Sequence, residues 1–159
     1  MTELEEKFLS ALKIANEGKD AEALKLFEEV IAADPQGDLA DDALYNIGIM
    51  QFKQVEFDKA VVTFKKVIKE MPDSTIAEFE GSMEHGKTPA KAWLGLINCY
   101  LAMGQEVEAW DALDKLEAFP NSYVMYSNDH GVTFRKTFKM LGQDLLDTYA
   151  STKQEVENG

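Results

Sequence analysis

The chain has little with which to perform covalent chemistry. Cys99 is the single cysteine among 159 residues, so no intrachain disulfide forms and nothing calls for an oxidising compartment. Its place on an apolar stretch reads as an inert buried thiol. The two histidines, His85 and His130, each precede a glycine with no second His or Cys at metal-ligand spacing, and read as solvated loop residues. A glycine-rich phosphate loop, a nucleophile elbow and a zinc-protease helix are all missing. The expectation is a protein with no catalytic residue, no cofactor and no metal. Positive charge is scarce too: 16 Lys and Arg against 29 Asp and Glu leave a formal charge of -13. That balance disfavours nucleic acid and anionic membrane surfaces, and favours a neutral or basic protein partner, besides keeping the chain in solution. No apolar run approaches the ~18 to 20 residues of a membrane span. The first residues have neither a basic nor an apolar leader region; Thr2-Glu3-Leu4-Glu5 instead has the form of a capping box that opens a helix. A soluble, cytoplasmic protein is expected.

What is present is apolar and periodic. An apolar content of 45% with 10% aromatics is that of a globular chain, and the length suits one domain. The pattern Ala-x-x-x-Phe occurs at Ala23 to Phe27 and Ala60 to Phe64, and in weakened form at Ala109 to Leu113. Each instance follows a turn, and Pro35, Pro72 and Pro120 end the helices that carry them, because proline cannot continue a helix. Small alanines let two helices approach closely, while Phe27, Phe64 and Leu113 fill the space towards the next unit. Paired carboxylates such as Asp41-Asp42 read as charges near helix starts that favour the helix dipole and solvation. A helical bundle with chance alanines is the alternative architecture.

Leu44, Ile47, Gly48, Gln51, Phe57, Ala60, Phe64, Val67 and Pro72 together resemble a tetratricopeptide repeat, with Gln51 where an aromatic is usual. The resemblance implies an all-α solenoid of three helix-turn-helix repeats in a right-handed superhelix, closed by a C-terminal capping helix. It assigns residues 1–159 to one domain, with repeats at about 3–36, 39–73 and 88–122 and a C-terminal helix at about 133–153. Asp38 or a neighbour is placed to cap the second repeat, and Thr88 with Pro89 to open the third. The distance from Ala23 to Ala60 is 37 residues and from Ala60 to Ala109 is 49, against a period of about 34. An insertion over 73–87 takes up the larger excess. Its two glycines and weak periodicity predict a mobile loop or a short helix plus loop. Residues 121–131 read as a second loop. In the last segment Phe134, Phe138, Leu141, Leu145 and Tyr149 fall on one helical face, and 155–159 form a polar, frayed end.

In such repeats the first helix of each unit lines a concave face. Transferred by register, the resemblance implies Phe8, Leu9, Leu12 and Asn16 in the first unit. It implies Asp42, Tyr45, Asn46, Ile49, Phe52 and Lys53 in the second, and Lys91, Leu94, Asn98 and Leu101 in the third. Tyr45, Ile49 and Phe52 make an apolar stripe beyond what packing within a repeat needs, which marks a helix that is buried or binds something. Family members that clamp acidic peptide ends use five polar positions; Asn46 and Lys91 match, whereas Phe8, Leu12 and Gly95 do not. The implied function is a non-enzymatic adaptor that binds a peptide or helix of a partner in this groove. The alternative is a structural or self-assembling subunit whose groove is filled by its own C-terminal helix or by a sister chain. The run Asp41 to Gly48, with Met71-Pro72-Asp73-Ser74 and Phe119-Pro120-Asn121-Ser122, is also similar to repeats of bacterial cell-envelope proteins.

Overall fold

The computed structural model describes residues 1–158. Helix α1, Glu3–Asn16, begins at the expected capping box: Thr2 Oγ1 accepts the Glu5 N–H at 3.1 Å, and Glu5 Oε2 accepts the Thr2 N–H at 2.9 Å. It is followed by α2 (Asp20–Ala33), α3 (Ala40–Lys53), α4 (Phe57–Glu70), α5 (Thr88–Ala102) and α6 (Glu106–Lys115). Consecutive helices pack as antiparallel neighbours, α1 on α2, α3 on α4 and α5 on α6, and each pair stacks on the next. The turn inside each pair needs a left-handed residue, supplied by Gly18 (φ 80°), Val55 (φ 63°) and Gly104 (φ 72°). Val55 is the β-branched exception.

Close approach explains the small residues. The Phe64 ring lies between α3 and α5, and a Cβ built on Gly48 or Gly95 would sit 2.6 or 2.7 Å from it. Any larger residue at either site must displace a fully buried ring. Ala23, Ala60 and Ala109 are completely buried, as the repeat pattern requires. The core forms two clusters. One gathers Phe8, Phe27, Val30 and Ile47 from the first three helices; the other gathers Phe64, Leu96, Ile97, Leu113 and Phe138.

A helix α7, Phe138–Asn158, closes the array by packing on α5 and α6. Gly142 makes the fit possible, since a Cβ there would lie 2.8 Å from Ile97 Cδ1. The expected start at Thr133 is corrected: Phe134 is strand, and the buried residues of α7 are Phe138, Gly142 and Leu146, with Leu141, Leu145 and Tyr149 on its flank. The expected frayed end is helical as far as Asn158, and Gly159 lies outside the described residues.

The largest departure is a sheet where none was expected. Strands β1 (Glu84–His85), β2 (Tyr123–Ser127) and β3 (Thr133–Thr137) are antiparallel in the order β1-β2-β3. The 121–131 loop is therefore a strand and a turn. Asn128 Oδ1 accepts the N–H groups of His130 and Val132 at 2.9 and 3.0 Å, and Gly131 takes φ 75°.

The insertion over 73–87 is an ordered hairpin rather than a mobile loop. Ile76 N–H donates to Gly86 O at 2.9 Å, Thr88 N–H to Ser74 O at 3.1 Å, and Met125 N–H to Met83 O at 2.7 Å. Ile76 is 4% exposed, within the larger core cluster. Two predicted caps also differ. Leu39, not Asp38, precedes α3 and has no side-chain cap; Lys87 precedes α5, where Thr88 is already helical and its hydroxyl donates to Asp41.

Candidate binding groove

The hairpin of 73–87 lies as a strap along the concave side. Phe79 stacks on Phe8 with ring centroids 6.0 Å apart, so the strap touches α1 as well as α3 and α5. Beneath it is a cavity of about 400 Å³. Phe8, Leu12 and Asn16 of α1, Asp42, Tyr45, Asn46, Ile49 and Lys53 of α3, and Lys91 of α5 line it, all of them positions assigned from sequence. The strap contributes Ile76, Ala77, Phe79, Met83 and Glu84, which sequence reasoning missed. The available signal was Ile76 and Phe79, apolar residues three apart in an apparent loop.

Other assigned residues fall elsewhere. Leu94 and Asn98 border a second, shallower depression with Leu141, Leu145 and Tyr149 of α7. Leu9 packs against the smaller core cluster and Leu101 against the larger; neither lines a cavity described here. Phe52 is not spare, as the stripe suggested, since its ring packs 5.3 Å from that of Phe57 at the start of α4. Tyr45 likewise rests 5.6 Å from Phe64.

The electrostatics of the floor overturn the solvated reading of Asp41-Asp42. Both are buried, at 3% and 4% exposure. Asp42 accepts the Ala77 N–H with both carboxylate oxygens at 3.2 Å, which anchors the strap, while Asp41 accepts from Thr88 and ties α3 to α5. Burial, reinforced by the neighbouring Asp41 charge, pushes Asp42 up to about 8 despite the Ala77 N–H and Lys91; burial also raises Asp41. Lys91 contacts Glu84 of the strap and stands 4.3 Å over the Tyr45 ring. Burial alone would lower its pKa, but Tyr45, Glu84 and Asp42 together hold it above the usual lysine value.

The histidines and the thiol are accounted for structurally. His85 is not simply solvated: its Nδ1 is 2.6 Å from Glu78 Oε1, and its ring packs against Tyr123. His130 is exposed in the hairpin turn. Cys99 is fully buried, and burial pushes its thiol up to about 11, away from the thiolate that nucleophilic chemistry needs. Among the described residues, no group of three or more His, Cys, Asp or Glu is arranged to hold a metal ion, and no helix is long and apolar enough to cross a membrane.

Stacked antiparallel helix pairs with left-handed turns, alanines at the contacts and a groove on the first helices define a helical-repeat fold. Residues 42–74, which span α3, α4 and the start of the strap, match the tetratricopeptide repeat family model. The fold is similar over 94% of this chain to 95% of PcrH from Pseudomonas aeruginosa, at TM-score 0.60 and 12% identity. Residues 42–74 thus form a tetratricopeptide repeat, set within a chain of the same helix-pair fold. A tetratricopeptide repeat protein from Parabacteroides merdae overlaps more loosely, at TM-score 0.39 and 14% identity, over 98% of this chain and 63% of that one. No curated protein sequence matches the chain.

Proposed function

We propose that this chain is a non-enzymatic adaptor that holds a short segment of a partner protein between α1, α3 and the strap. Supporting this reading is the convergence of Phe8, Leu12, Asn16, Asn46, Ile49 and Lys53 on one cavity, whose lining mixes apolar side chains with polar ones that can fix a ligand's orientation. A volume of about 400 Å³ suits one or two inserted side chains on an extended segment rather than a whole helix. The partner segment is neutral or basic, in keeping with the formal charge of -13. The alternative, a self-assembling subunit that fills its own groove, has one observation in its favour: Leu94 and Asn98 are bordered by Leu141 and Leu145 of the same chain.

Selection of a random-peptide display library on the purified protein, followed by calorimetry of the enriched peptides, tests the adaptor reading. Ile49→Asp, and Lys53→Glu at the exposed rim, are expected to weaken binding at least about tenfold with the helical circular dichroism spectrum retained. Unaltered affinity in both variants would overturn it. A dimer in sedimentation that Ile49→Asp dissolves would favour the subunit.

A further inference from the structure

The sheet ends on β3, and among the described residues no further strand pairs with its outer edge. Thr133, Phe134 and Arg135 of that strand are exposed. Such an edge presents a row of unpaired N–H and C=O groups, and proteins normally cover it, kink it or keep it short. Here it runs for five residues with no proline, in unbroken register from Tyr123↔Thr137 to Ser127↔Thr133.

Two features beside the edge say what fits it. On one face the Phe134 and Tyr126 rings stack with centroids 5.6 Å apart, exposed at 43% and 36%. On the other face stands Arg135, its guanidinium 5.1 Å from the Tyr123 ring centroid. The cations nearby are neutralised, Lys136 by Asp144 and Lys139 by Glu117. Arg135 has no ion-pair partner among the described residues. We infer that the outer edge of β3 takes an extended, acidic segment of a partner protein as an added strand. Successive residues of that segment point to opposite faces, so alternation is the matching pattern: acidic side chains towards Arg135, apolar ones extending the Tyr126 and Phe134 stack. A second copy fits less well. Two-fold pairing of β3 about its centre sets one Arg135 against the other, and like charges directly opposite destabilise a ladder.

This inference does not depend on the groove, and its test separates the two. A short peptide alternating glutamate and valine is titrated into isotope-labelled protein while backbone amide shifts and exchange are followed, with a lysine-for-glutamate peptide as comparison. The acidic peptide is expected to shift and protect amides of 133–137, leaving Asn46 and Ile49 unmoved. Arg135→Glu is expected to weaken it at least about tenfold and to admit the lysine peptide instead. Arg135→Gln gives the same comparison, as simple weakening, if the reversal disturbs the hairpin. Four results would each overturn the inference: no binding up to about 1 mM, equal binding of both peptides, shifts confined to the groove, or protection of the same amides by self-association without peptide.

Discussion

Asp42 is a carboxyl group withdrawn almost wholly from water, with its oxygens turned to the Ala77 N–H. Its folded-state pKa of about 8 lies above the unfolded value, so between about pH 4 and pH 8 the native chain binds more protons than the unfolded one. Stability therefore falls as pH rises through that window and levels off above it. Asp41, raised by the same burial, adds to the slope. An Asn at position 42 keeps an oxygen that accepts the Ala77 N–H but has nothing to ionise. Asp42→Asn is expected to flatten the decline in melting temperature between about pH 5 and pH 9, and to melt no lower than the parent at the alkaline end. Thermal melts across that range check it; a parent whose stability climbs with pH would show that Asp42 is ionised in the fold.

At the scale of elements, the strap behaves as part of the scaffold. The Ile76 and Thr88 amides bond to Gly86 and Ser74 carbonyls, and the Ala77 amide to Asp42. These three amides are expected to exchange with solvent about as slowly as the buried turns of α5, whereas Gly81 at the tip exchanges fast. Uniformly fast exchange over 73–87 would restore the loop reading. The helix pairs were legible in the sequence because each repeats a local code: alanine at the contact, a large apolar residue (Phe27, Phe64 or Leu113) four residues on, proline after the end. Even Gly48 and Gly95 follow from it once Phe64 is placed between them. The strands were not. Phe134, Phe138 and Leu141 have helical spacing, which masked the alternation of Tyr123 to Ser127 and Thr133 to Thr137 about a turn containing Asn128 and Gly131. Nor could local sequence reveal that Asp41 and Asp42 are buried, since their partners lie 47 and 35 residues away. The register that assigned Phe8, Asn46 and Ile49 to the concave face needed only one helix at a time; the wall opposite them needed a long-range contact.

Across the whole molecule, the strap bridges two cores. Ile76 belongs to the larger cluster, and Ala77 and Phe79 pack on the smaller. In a repeat array each unit touches its neighbours alone, and unfolding can proceed from an end. Phe79→Ala removes the ring that rests on Phe8 and is expected to let α1 and α2 melt before the rest. The two tryptophans, Trp93 and Trp110, both lie in the third helix pair and report on that end alone. In urea the parent should give coincident fluorescence and circular dichroism transitions, and Phe79→Ala an earlier circular dichroism transition with fluorescence little changed. Coincident curves in the variant would mean the cores are coupled without the Phe79 ring.

Helical repeat arrays can flex like a coiled spring, because small rotations between units add along the axis. Here Asp42 on Ala77, Phe8 on Phe79 and Lys91 on Glu84 fasten three successive coils to one short strap. A spring laced along its inner side cannot open or tighten there without breaking the lacing. The width of the cavity is thereby set in advance, and on the adaptor reading a visiting segment would meet a mould already cast, with little ordering of the host left to oppose its binding.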